Sequence, residues 1–161
     1  MIKKKYEFTQ NSVKIDNRAL YQIKALKDFD RVKAGDSGGY IESEDNLSHD
    51  GNCWVSGNAL VYEGARVSEN ARVSGNARVS GDALVSENAW VSGDARVSGD
   101  ARVFGDAHIY GNVHLGRVPV NFNCDFDPYE SVMKILDHKE ILPTLLGIDS
   151  GLDKMILERL K

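Results

Sequence analysis

Gly51 to Gly116 reads GNCWVS, GNALVY, EGARVS, ENARVS, GNARVS, GDALVS, ENAWVS, GDARVS, GDARVF, GDAHIY, GNVHLG: eleven hexads without insertion or deletion. The fifth position is Val in the first nine hexads, then Ile109 and Leu115; the third runs from Cys53 through Ala59 and its equivalents to Val113. The first two positions are nearly all Gly, Glu, Asn or Asp. In an extended chain alternate residues share a face, so the third and fifth positions point one way and the fourth and sixth the other. The inward pair is therefore a small residue followed by an aliphatic one, each aliphatic side chain contributing roughly 1.5–3 kcal/mol when fully buried. The Gly/Glu–Asn/Asp pair suits a corner, where positive φ and side-chain-to-backbone bonding are tolerated.

A period of six excludes an α-helix, whose repeat is about 3.6 residues, and is too short for a meander, which needs a turn every 8–12 residues or so. It fits a solenoid whose coils each hold several short strands, stacked about 4.8 Å apart. On these residues the chain resembles the hexapeptide-repeat left-handed β-helix proteins, the trimeric fold of LpxA-like enzymes. In that family three hexads make one triangular coil, so the resemblance implies between three and four coils with Ala-lined corners and no central channel. Gly stands two places after Val here rather than one, and a right-handed β-helix of the bactofilin kind is the alternative.

The flanks differ from the hexads. KYEFTQNSVKID and RALYQIKAL read as two strands joined at Asp16-Asn17, a hairpin turn signature. The stretch ALKDFDRVKAGDSGGYIESEDNLSHDGNCWV, from Ala25 to Val55, is similar to the N-terminal region of the YdcK-like branch of hexapeptide-repeat proteins and to phage and prophage proteins of unassigned function. Beyond the hexads, Asp127-Pro128-Tyr129-Glu130 and Ser150 to Asp153 carry helix-start spacing. Val132, Met133, Ile135 and Leu136 then give one apolar stripe, and Leu152, Met155, Ile156 and Leu160 another. The sequence thus predicts an all-β solenoid in three parts: strands and a cap over 1–50, the β-helix over 51–116, and a linker with C-terminal α-helices over 117–161. Those helices cover the open end of the solenoid, pack between protomers, or bind a host protein through Pro128–Lys161.

Composition narrows the function classes. The 161 residues carry a formal charge of -4, which disfavours a broad footprint for duplex DNA. No apolar run approaches the roughly 20 residues of a membrane span, and Met1–Phe8 lacks a signal-peptide core. Cys53 and Cys124 are too few and too far apart for a disulfide framework, which points to reducing cytosol. Nucleotide-binding and nucleophile-elbow motifs are missing. Neither the His pair, the lone Cys124 nor the corner residues Asp82, Asp94, Asp100 and Asp106 has metal-ligand spacing.

Fourth positions three hexads apart stack in outward columns: Trp54, Arg72, Trp90, His108; Leu60, Arg78, Arg96, His114; and Arg66, Leu84, Arg102. An Arg between two Trp at strand spacing can stack on both rings, and exposed Trp in such a column is unusual for plain surface. Arg78 above Arg96 is destabilising unless an anion or a carboxylate lies between them. The candidate binding residues are therefore Trp54, Arg66, Arg72, Arg78, Trp90, Arg96 and Arg102. The expected function is non-catalytic binding or assembly: a homotrimer in the cytoplasm, holding a host macromolecule or an anionic ligand, with no cofactor and no metal. The alternative implied by the family resemblance is an acyltransferase using acetyl-CoA, with His108 or His114 as general base.

Overall fold

The structure is a computed structural model that describes residues 3–116 and, beyond them, strand backbone at 119–121 and 125–126. The expected C-terminal helices lie outside the described residues. The chain opens with strands β1 (Tyr6–Ile15) and β2 (Arg18–Ala25), then β3 (Ser37–Ile41) and a single 3-10 turn at Glu44–Asn46. The hexads supply β4 (Trp54–Val55), β5 (Leu60–Val61), β6 (Arg66–Val67), β7 (Arg72–Val73), β8 (Arg78–Val79) and β9 (Leu84–Val85). They continue with β10 (Trp90–Val91), β11 (Arg96–Ser98), β12 (Arg102–Phe104), β13 (His108–Ile109) and β14 (His114–Gly116), followed by β15 (Pro119–Asn121) and β16 (Asp125–Phe126).

From β4 onward every third strand pairs in parallel, and β3 joins β5, giving the sheet orders β3-β5-β8-β11-β14, β4-β7-β10-β13-β16 and β6-β9-β12-β15. The result is a three-faced parallel β-solenoid. Its stacking bonds run along the axis: Trp54 N–H donates to Ala71 O at 3.0 Å, Ser56 N–H to Val73 O at 2.9 Å and Asn58 N–H to Gly75 O at 2.9 Å. Ala and Val of the inward positions, from Ala59 and Val61 to Ala107, are fully buried. Positive φ falls at the first corner position, on Gly57 and Gly75 but also on Glu63, Glu69 and Glu87. The second corner position does something other than the side-chain-to-backbone bonding expected. Asn52 donates to Asn70, Asn70 to Asn88 and Asn88 to Asp106, at 3.3, 3.2 and 3.0 Å, so one corner carries a side-chain ladder that ends on an acceptor-only carboxylate.

Both boundaries drawn from the hexads alone are corrected. Below the first hexad, Tyr40 and Ile41 pair in parallel with Leu60 and Val61, and Leu47 bridges Val67, so the solenoid begins inside the segment expected to be a separate cap. Above the last, Val120 pairs with Val103 and Phe126 with Ile109, so strands continue into the expected linker. Before the hexads the period is broken between Leu47 and Val55, so a fixed six-residue template passes over Ile41 and Leu47.

The hairpin is as expected: Ile15 pairs with Arg18 across Asp16 and Asn17, both at positive φ. β2 also pairs antiparallel with β3, so the hairpin extends one solenoid face into a seven-stranded sheet. Gly38 permits this junction. A β-carbon there would lie 2.5 Å from Ile23 Cγ1 and 2.7 Å from both Trp54 Cζ2 and the Val55 carbonyl oxygen.

Candidate functional site

The three outward columns form in the register expected. Trp54 pairs with Arg72, Arg72 with Trp90 and Trp90 with His108. Leu60, Arg78, Arg96 and His114 stack on the second face, and Arg66, Leu84 and Arg102 on the third. His108 and His114 accordingly stand on different faces.

The Trp column departs from expectation in two ways, both caused by the N-terminal segment. Trp54 is buried, only 7% exposed, because Phe29 and Tyr6 close edge-on upon it with ring centroids 5.4 and 6.4 Å away. Arg72, expected between the two indoles, has its guanidinium paired with the carboxylate of Asp30. Asp30 sits in a tight loop closed by reciprocal bonds between Phe29 and Val32 at 3.0 and 2.8 Å, and its φ of 45° is in the left-handed region. Asp30 was not legible as a site residue, since its partner lies 42 positions along the chain.

Trp90 is 41% exposed, and its Nε1–H donates to Ser74 Oγ at 2.9 Å. His108 meets it edge-on with centroids 5.5 Å apart. Between Trp90 and the Asp30 loop lies a cleft of about 430 Å³ whose walls include Asp30, Arg31, Asp36, Asn52 and Arg72.

The second column is different in character. Arg78 and Arg96 are directly in register and both exposed, and among the described residues neither forms an ion pair. Arg66 and Arg102 on the third face, separated by Leu84, are likewise exposed and form no ion pair among the described residues. Above Arg96, His114 Nε2 lies 3.2 Å from Ser98 Oγ.

A third polar cluster, unforeseen in the sequence, closes the N-terminal end. Lys5 is fully buried, and its ammonium donates to the carbonyl oxygens of Gly51 and Cys53 at 3.3 and 2.9 Å and to Cys53 Sγ at 3.1 Å. Burial lowers the Lys5 pKa and raises that of the Cys53 thiol. His49 stacks on Tyr6 at 4.3 Å and accepts the Lys5 main-chain N–H at Nδ1, and burial lowers its pKa. Because the Lys5 ammonium is spent on internal acceptors, the cluster is a structural clasp.

Among the described residues no group of three His, Cys, Asp or Glu side chains is arranged to hold a metal ion. Nor is any described helix long and apolar enough to cross a membrane.

Axial stacking with a six-residue period, small and aliphatic residues inside and ladders outside, defines a hexapeptide-repeat parallel β-solenoid. The YdcK beta-solenoid repeat matches residues 65–80, 71–87, 77–93 and 95–111, so these hexads are similar to that repeat. The Escherichia coli (strain K12) protein named Uncharacterized acetyltransferase YdcK is 49% identical over 39 residues, a match that takes in 24% of this chain and 12% of that protein.

Proposed function

We propose that this protein is a non-catalytic binding and assembly protein whose outward ladders engage an anionic ligand or macromolecule, working as a homotrimer in the cytoplasm. One observation carries the reading: Arg78 and Arg96 stack in register, both exposed and neither ion-paired among the described residues. Like charges directly opposite on a sheet are destabilising, and an anion bridging the two guanidinium groups would remove that penalty and supply charge-assisted hydrogen bonds. The uninterrupted hexads, which leave no acceptor-shaping loop between residues 51 and 116, support the same reading.

The test is titration with inorganic tripolyphosphate at two ionic strengths, beside native mass spectrometry for assembly and retained ligand. Saturable binding that weakens with salt and is lost in Arg78→Glu and Arg96→Glu is expected. Equal behaviour of wild type and both variants would refute it.

A second reading, acyl transfer from acetyl-CoA, has two supports: the name of the E. coli relative and the placement of His114 beside Ser98. On that reading His114 is the general base and His108, on another face, is a bystander. An acetyl-CoA-dependent thermal shift would favour it, and its absence at millimolar ligand would remove it.

A further inference from the structure

The cleft beside Trp90 differs chemically from the Arg78–Arg96 ladder. Two carboxylates, Asp30 and Asp36, and two guanidinium groups, Arg31 and Arg72, line it, so its formal charge is zero. Arg72 is already paired with Asp30, and the Asp36 carboxylate accepts the Lys33 main-chain N–H at 2.8 Å. With the two signs balanced, the cleft has no net charge that would favour an anion over a cation or the reverse. The site therefore suits a neutral molecule.

It also suits one with both a flat apolar side and a dense set of hydroxyls. The indole of Trp90 is exposed, and its ring nitrogen is satisfied by Ser74, so the ring is held in one orientation and offers its carbon face. Donors and acceptors line the same cleft: the Asn52 amide, the carboxylates and guanidinium groups, and the hydroxyls of Ser56 and Ser74. A sugar hydroxyl donates and accepts at once, and a pyranose ring presents C–H groups on one side. Aromatic platforms with a polar handle serve such amphipathic ligands. The volume of about 430 Å³ falls within the roughly 300–1,000 Å³ of small-molecule sites.

We infer that the cleft between Trp90 and the Asp30 loop is a binding site for an uncharged saccharide, stacked on Trp90 and hydrogen-bonded by the Asp30–Arg72 pair. This site is independent of the anion-binding ladder, which lies on another face of the solenoid.

The experiment titrates the full chain with maltohexaose, cellohexaose and chitohexaose, following the indole N–H resonances of Trp54 and Trp90. At least one oligosaccharide shifts the Trp90 signal saturably. Trp90→Ala abolishes binding, Asp30→Asn weakens it about tenfold, the loss expected for hydrogen bonds to a charged group, and Arg78→Glu leaves it unchanged. Three results would overturn the proposal: no response to any of the three sugars, a response at Trp90 to tripolyphosphate alone, or a fall in oligomeric mass in Trp90→Ala. The last would make Trp90 a contact between copies. Because Arg78→Glu separates the two faces, failure of the anion reading leaves this result interpretable, and the reverse also holds.

Discussion

The ammonium of Lys5 lies 2.9 Å from the carbonyl oxygen of Cys53, a residue 48 positions away, and both side chains are fully buried. The segment leading into the hairpin is thereby fastened to the first hexad. Without Lys5 the carbonyl oxygens of Gly51 and Cys53 would lose this donor. Lys5→Met is expected to destabilise the protein by about 1–3 kcal/mol, the cost of such orphaned groups, read from the midpoint of chemical denaturation.

Gly38 governs whether the hairpin can dock at all. In Gly38→Ala the added methyl meets Trp54, Ile23 and the Val55 backbone at 2.7 Å or less. Overpacking of this kind costs about 1–3 kcal/mol. Amide exchange should show the loss concentrated in β1–β3, with the later hexads protected as before.

The corner ladder predicts a charge-specific effect. Asn88 donates to Asp106 at 3.0 Å, so Asn88→Asp replaces a donor by a second carboxylate. Stability at neutral pH should fall by roughly 0.2–1 kcal/mol, the scale of stacked pairs on a sheet, and should recover on acidification as one carboxylate takes a proton. Thermal melts of the two proteins at pH 7 and pH 4 make the comparison.

The clasp also gives a pH dependence of definite sign. Burial holds the His49 pKa below its ordinary value of 6.5, so between the two values the unfolded chain carries a proton that the folded protein does not. Stability should therefore decline as pH falls below 6.5, and His49→Gln should flatten that slope. At lower pH Glu42 adds to the decline. Its carboxylate accepts the Glu63 N–H at 2.7 Å, which holds its pKa below the ordinary 4.5, and this contribution is lost as it protonates.

Arg78→Glu should set stability against binding. It replaces a stacked like-charge pair with an opposite-charge pair facing Arg96, a gain of about a few tenths of a kcal/mol for exposed groups. A variant with a slightly higher melting temperature and no tripolyphosphate binding would mark the wild-type Arg pair as retained for a ligand.

The hexads were legible because one local rule is repeated: inward Ala and Val, a corner at each Gly or Glu, an outward column at each fourth position. Trp54 shows where that reading fails. Its column position is correct, yet it is buried, because Tyr6 and Phe29 from the non-repeating segment cover it. Arg72 shows a second gap: its ion pair with Asp30 was not foreseen, because charge pairing over a long sequence separation leaves no local pattern. Leu47 and Ile41 were missed as solenoid residues because the spacing between Leu47 and the next inward aliphatic, Val55, is not six.

Period, parallel stacking, the inward and outward sets and the hairpin turn at Asp16-Asn17 are all written into the amino-acid order, since each follows from backbone preference and residue alternation within a few positions. Which ladder residues remain available to a partner is settled in three dimensions instead. The N-terminal segment folds back over one face, burying Trp54 and neutralising Arg72 while leaving Trp90, Arg78 and Arg96 exposed. Burial and ion pairing depend on which surfaces meet in space, and Asp30 and Arg72, which meet here, are 42 positions apart.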